Sequence, residues 1–178
     1  MLGKVAVEIG KVRVAVVAGN PKPSSRTLEA AELLAADLAG RAADARIDVI
    51  ALGAGLLGWG DVAVKDAVDL VAGSDLVVVA SPTFKASYSG VLKLFLDHFD
   101  TATGLQDVVA IPLMLGAGPA HQLAPELLLK PVLVELGAIC PTQGLYLPDK
   151  TYNDPAARLP WVDRWRSAIA RALPEKRP

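Results

Sequence analysis

Cys140 is the only cysteine in the 178 residues. This rules out a disulfide within the chain and leaves no thiolate set for a structural zinc or iron–sulfur centre. Such scarcity suits a reducing compartment, and the expected location is the cytoplasm. Histidine is nearly as rare, with only His98 and His121. Charge of one sign is also lacking: 18 Lys and Arg stand against 19 Asp and Glu, for a formal net charge of −1. A nucleic-acid surface needs a basic excess or stripe, so nucleic acid is not an expected partner. Long apolar runs are missing too. Val12 to Ala18 is too short to cross a bilayer, and Lys11 and Arg13 interrupt what would otherwise resemble a signal peptide's apolar region. The expectation is a soluble protein with no membrane partner.

The chain does have apolar material for one well-buried core. Short Val-rich runs alternate with longer Ala/Leu-rich amphipathic stretches, as when crossover helices cover both faces of a parallel sheet. Strands are expected at Val12 to Ala18, Arg46 to Leu52, Leu76 to Ala80, Val108 to Leu115 and, briefly, Ala138 to Cys140. The continuous run Leu76-Val77-Val78-Val79-Ala80 suits a central strand buried on both faces. Leu28, Ala31, Leu34, Ala35 and Leu38 recur at helical spacing, with Gly40 placed to end that helix. Further helices are expected at Val62 to Ala72, Gly90 to Phe99, Pro119 to Leu136 and Ala156 to Leu173. Gly53 to Gly60 and Leu147 to Pro160 read as loops, residues 11–178 as a single domain, and Met1 to Gly10 as a loosely attached extension.

In an open parallel sheet, ligands bind beyond the carboxyl ends of the strands. After the first strand comes Gly19-Asn20-Pro21-Lys22-Pro23-Ser24-Ser25-Arg26-Thr27, which opens directly into a helix. Free amides at a helix start, with Ser and Thr hydroxyls and a cation, make a site for a phosphate monoester. Simple capping by Ser24 or Ser25 is the competing reading. The loop lacks the second glycine and the Gly-Lys-Ser/Thr ending of a triphosphate loop. Gly116-Ala117-Gly118 is a lone G-x-G after the fourth strand, so a mononucleotide is expected ahead of a dinucleotide.

After the third strand, Ser81-Pro82-Thr83-Phe84-Lys85-Ala86-Ser87-Tyr88-Ser89-Gly90-Val91-Leu92-Lys93 resembles the signature loop of the NADPH-dependent FMN reductases. Leu115-Gly116-Ala117-Gly118-Pro119-Ala120-His121 is similar to their segment after strand four, with Leu115 in place of a threonine and Ala117 in place of a glycine. The resemblance covers roughly Val12 to Tyr146, and is greatest to the branch that supplies reduced FMN to sulfonate monooxygenases. Leu127 or Leu128 stands where some of that branch carry an aromatic or a histidine. The resemblance implies a three-layer flavodoxin-like α/β sandwich with a five-stranded parallel sheet in the order 2-1-3-4-5. It also implies hydride transfer from NADPH or NADH to FMN. Asn20, Ser24, Ser25, Arg26 and Thr27 would hold the phosphate. Pro82, Thr83, Phe84, Lys85 and Ser87 would lie along the ring, with Gly116, Ala117 and Gly118 at its pyrimidine edge. No side chain is expected to act as a catalytic acid or base, because the cofactor carries the chemistry.

Two other readings of the same scaffold stay open: an FMN-bound reductase of quinones, azo compounds or metal oxyanions, and a binding module without catalysis. His121 reads as a structural residue, His98 as a helix-end or interface residue, and Cys140 as a small core residue. No G-x-S-x-G elbow surrounds any serine, which argues against an esterase. A homodimer or homotetramer is expected, with the third helix (Leu92, Phe95, Leu96 and Phe99) contributing to its interface: these four can cover the core face, which leaves Val91 and Leu94 pointing away from it, and a monooxygenase is a candidate partner.

Overall fold

A computed structural model describes residues 7–174. Five strands, β1 (Val14–Ala18), β2 (Ala45–Asp48), β3 (Leu76–Pro82), β4 (Val109–Gly116) and β5 (Leu145–Pro148), form one parallel sheet in the order β2-β1-β3-β4-β5. The helices are α1 (Arg26–Ala39), α2 (Val62–Ala72), α3 (Gly90–Leu96), α4 (Lys130–Glu135) and α5 (Pro155–Ala172). Alternation along each strand divides the core in two. Val14, Val16, Leu76, Val78, Ile111 and Leu113 face α1 and α5. Ala15, Val17, Val77, Val79, Ala110 and Met114 face α2, α3 and α4. β1, β3 and β4 are buried along their whole length, which is why they read as unbroken apolar runs.

Local chemistry sets the helix limits. Ser25, Asp61, Ser89 and Asp154 each accept a first-turn amide with their side chains, and Gly40 ends α1 in the left-handed region at φ 71°. Of the segment Met1 to Gly10, residues 1–6 lie outside the described residues. The rest is docked: Val7 N–H donates to Ala170 O at 3.2 Å and Ile9 is buried.

Several expected boundaries move, each for a local reason. β2 stops at Asp48 instead of Leu52 because its only partner, β1, ends opposite it at Ala18. Val49–Leu57 then winds through 3-10 turns broken at Gly53, where φ is 59°. The helix expected over Pro119 to Leu136 is three pieces: a 3-10 turn at Pro119–His121, a π turn at Pro125–Leu129, and α4. Each piece has a proline in its first two positions. Pro131 has no N–H to give Leu127 O, and Lys130 N–H reaches Pro125 O in the wider π pattern.

The fifth strand lies at Leu145–Pro148, while Ala138 to Cys140 contributes a single bridge, Ile139 to Val109. Pro112 explains the gap. Ala110 N–H bonds Ile139 O on that side of β4, so by alternation residue 112 should donate there next, and proline has no donor. β5 pairs only from Leu113 onward. α3 ends at Leu96, with Phe99 in a tightened turn, and Leu92, Phe95, Leu96 and Phe99 are all buried in the core. They cover the core face and offer no surface of their own to a partner; of the two residues expected to point away, Leu94 is exposed and Val91 half-buried. Among the described residues, no helix is long and apolar enough to cross a membrane.

Two outcomes test this packing. Phe95 is fully buried and meets Phe99 edge to face at 5.4 Å, so Phe95→Ala should lower the unfolding free energy by about 3–4 kcal/mol in urea titration. Glu126 fastens the π turn to the approach of β5, accepting from Lys130 Nζ at 2.8 Å and from Gly144 N–H at 2.7 Å. Burial alone would raise its carboxyl, but the Lys130 and Gly144 hydrogen bonds and the Lys130 charge outweigh burial and hold it below the ordinary 4.5. A lowered acid contributes stability above its unfolded value and loses it as pH falls through the folded one. Glu126→Gln should therefore be about 1 kcal/mol less stable at neutral pH and should lose less than the wild type on acidification below pH 4.5.

Candidate functional site

The carboxyl ends of β1, β3 and β4 bring three loops together. In the first, Ser24 takes a left-handed conformation at φ 48°, and its amide donates to Asp48 Oδ2 at 2.8 Å. Asn20 bridges the loop: its Nδ2 donates to Thr27 Oγ1 at 2.9 Å, and its Oδ1 accepts from Lys22 N–H. Ser25 caps α1, its Oγ accepting from Leu28 N–H at 3.3 Å. The capping reading is therefore realised, yet it does not use the hydroxyl hydrogens. Ser25 and Thr27 accept through oxygen and keep a donor each. Glu29 N–H makes the first intrahelical bond, to Ser25 O, so the amides of Arg26 and Thr27 precede the helix's own acceptors. The exposed Arg26 guanidinium reaches Asp149 O at 3.1 Å, tying this loop to the one after β5.

The second loop turns back on itself. Phe84 and Ser87 exchange backbone hydrogen bonds at 2.8 and 3.1 Å across Lys85 and Ala86, both at positive φ (50° and 68°). This is the type I′ geometry that Asn and Gly favour, made here without either. Phe84 is 48% exposed and so is not a core aromatic. Pro82 is buried as the last residue of β3. Thr83 N–H donates to Leu115 O at 2.7 Å, while its Oγ1 is buried with no hydrogen-bond partner among the described residues.

The third loop is held by Tyr146, whose hydroxyl donates to Gly118 O at 2.7 Å. A Cβ on Gly116 would fall 2.0 Å from that hydroxyl, so glycine is required there by the protein's own packing. Ala117 is exposed, and a Cβ on Gly118 would enter open space. Leu115 is buried in the core facing α1 and α5.

Between the second and third loops lies a cleft of about 620 Å³, lined by Thr83, Lys85, Ala86, Gly116, Ala117, Gly118, Pro119, Ala120, His121 and Tyr146. A second hollow of about 390 Å³ continues from it past Leu123, Leu127 and Leu128. Of the thirteen candidate residues, Thr83, Lys85, Gly116, Ala117 and Gly118 meet in the cleft. Asn20, Ser24, Ser25, Arg26 and Thr27 form a separate group at the start of α1, and Pro82, Phe84 and Ser87 frame the second loop without lining the cleft. Tyr146, Ala86 and Asp48 join the site without a sequence signal of their own: Tyr146 lies on β5, later than the apolar run at Ala138 to Cys140, and Asp48 ends β2 inside an apolar run that continues to Leu52.

Two groups are set aside by their surroundings. Burial pushes the Cys140 thiol up to about 11, so it stays protonated and is a poor nucleophile at neutral pH. His98 packs against Trp59 with ring centroids 4.9 Å apart, away from the cleft. Among the described residues, no group of three or more His, Cys, Asp or Glu side chains is placed to hold a metal ion.

The donor set at α1 fits a phosphate monoester. The open cleft, lined by Thr83, Lys85, Tyr146 and the backbone of Gly116 to Gly118, fits a planar ring with a polar edge. Residues 12–153, which include all three loops, match the family described as NADPH-dependent FMN reductase. The FMN reductase (NADPH) of Pseudomonas putida is 40% identical over 80 residues, 45% of this chain and 40% of that protein, so the chain spans less than half of that relative's length. The FMN reductase (NADPH) of Pseudomonas aeruginosa is 30% identical over 173 residues, covering 91% of each. A crystal structure of an NADH:FMN oxidoreductase in its apo form superposes with a TM-score of 0.79 at 31% identity, covering 93% of this chain and 91% of that one. On a match that runs from β1 to beyond β5, the chain belongs to the NADPH-dependent FMN reductase family.

Proposed function

We propose that this protein reduces FMN with NADPH or NADH. The observation that carries the reading is the convergence of a phosphate-type donor set with an open cleft at neighbouring strand ends. Ser24, Ser25, Arg26 and Thr27 hold the phosphate, with Asn20 fixing Thr27. Thr83, Lys85 and Gly116 to Gly118 wall the ring, and Phe84 and Ser87 close the turn that carries the first of these walls. FMN supplies the redox chemistry when bound there, since its ring accepts a hydride from the nicotinamide and a proton from solvent, yielding reduced FMN and the oxidised nucleotide.

The protein's task is to position the ring and leave one face open to the nicotinamide. The apolar rim of Phe84, Leu123, Leu127 and Leu128 supports a further reading, in which reduced FMN passes to a monooxygenase that docks there. A cytoplasmic location goes with that role. We also propose a homo-oligomer, supported by the exposed Leu57, Trp59, Val62 and Leu94. Light scattering should give a multiple of the 18.6 kDa chain, and a monodisperse monomer would overturn the assembly.

Fluorescence titration with FMN and with riboflavin, alongside the oxidation of NADPH and NADH, tests the main reading. Arg26→Ala should weaken FMN by about tenfold and leave riboflavin unchanged, as loss of one charge-assisted contact to phosphate predicts. Wild-type protein that neither binds FMN nor oxidises either nucleotide would sink the assignment.

A further inference from the structure

Asp48 is the last residue of β2, and its Oδ2 accepts the Ser24 amide at 2.8 Å. Its Oδ1 is buried and has no hydrogen-bond partner among the described residues. The nearest cation along β2, Arg46, is paired with Glu32 instead. Of the two cations of the phosphate loop, Arg26 is turned to Asp149 O, and the exposed Lys22 makes no ion pair with Asp48 among the described residues. A carboxylate whose charge no cation in contact offsets thus sits one residue from the hydroxyl that caps α1. It also occupies one of the amides that an anion-binding loop would otherwise offer to its ligand.

Two consequences follow from that placement. The bond to Ser24 stabilises the left-handed conformation that a serine adopts reluctantly, so Asp48 shapes the loop. Its charge also opposes any anion the loop takes, because like charges a few ångströms apart in a partly buried setting repel strongly. Resting on the reading that the loop holds the FMN phosphate, we infer that Asp48 is a specificity-determining residue that weakens retention of that phosphate. It thereby makes FMN a substrate that leaves instead of a group that stays. Arg26 and the α1 amides attract the phosphate, Asp48 opposes them, and the flavin ring is left with most of the discrimination among ligands.

The test compares wild type, Asp48→Asn and Asp48→Ala in titrations with FMN and riboflavin, with thermal unfolding as a check that each variant is folded. Wild type should prefer FMN over riboflavin by about tenfold. Asp48→Asn keeps an acceptor for Ser24 and loses the charge, so its FMN Kd should fall about five- to tenfold while riboflavin stays within twofold of wild type. It should also retain FMN through gel filtration where wild type releases it. Asp48→Ala loses the Ser24 contact as well and should tighten FMN less. A hundredfold wild-type preference for FMN would overturn the inference without needing any variant. So would an Asp48→Asn protein whose FMN affinity is unchanged or weaker while riboflavin binds normally, a result that leaves the reductase reading intact. Wild type that binds neither flavin and oxidises no nucleotide would fail that reading, and this inference with it.

Discussion

One buried hydroxyl holds the strand ends in register. Ser89 Oγ caps α3 by accepting from Leu92 N–H at 3.0 Å and donates its own hydrogen to Gly19 O at the end of β1. Its backbone N–H in turn donates to Ser81 Oγ on β3 at 2.8 Å. Gly19 meets the same helix so closely that a Cβ there would fall 2.2 Å from Leu92 Cβ. The phosphate-type loop, the turn at Phe84–Ser87 and the start of α3 are therefore one mechanical unit. Because these groups are buried, each bond lost would leave an unsatisfied partner, which is why the arrangement tolerates little drift.

The third loop is fastened differently. Tyr146 reaches across from β5 and pins Gly118, and its ring hydroxyl takes the space above Gly116. The glycine that family resemblance places beside the flavin is thus already demanded by a tyrosine. The neighbouring Ala117 is exposed and lines the cleft. Adjacent positions of one glycine-rich segment thus answer to different neighbours, Gly116 to Tyr146 and Ala117 to the cleft.

The central sheet was legible in the sequence because β1, β3 and β4 are buried on both faces and leave unbroken Val-rich runs. The cap of α1 was legible as a choice between Ser24 and Ser25, since local hydrogen bonding fixes it. The limits that differ from the sequence expectation depend on partners far along the chain. β2 ends where β1 ends, and β5 begins only where Pro112 stops interfering, and no window of periodicity contains either fact. The helix broken by Pro119, Pro125 and Pro131 carried its warning in plain view, but its apolar spacing is intact, and periodicity outweighed proline. Within the site, the motif residues were visible, while Tyr146 and Asp48 were hidden by those same displaced strand limits.

The two outermost strands, β2 and β5, are each only four residues long. Two of the four residues of β2, Arg46 and Asp48, are charged, and β5 ends in Pro148. A long, flat, apolar margin would offer a row of free amides and carbonyls to any other extended polypeptide, inviting strand addition and fibrillar growth. Brevity, charge and a terminal proline leave little such template. A chain whose interior strands are as Val-rich as an aggregation-prone segment thus keeps them sealed in the middle of the sheet.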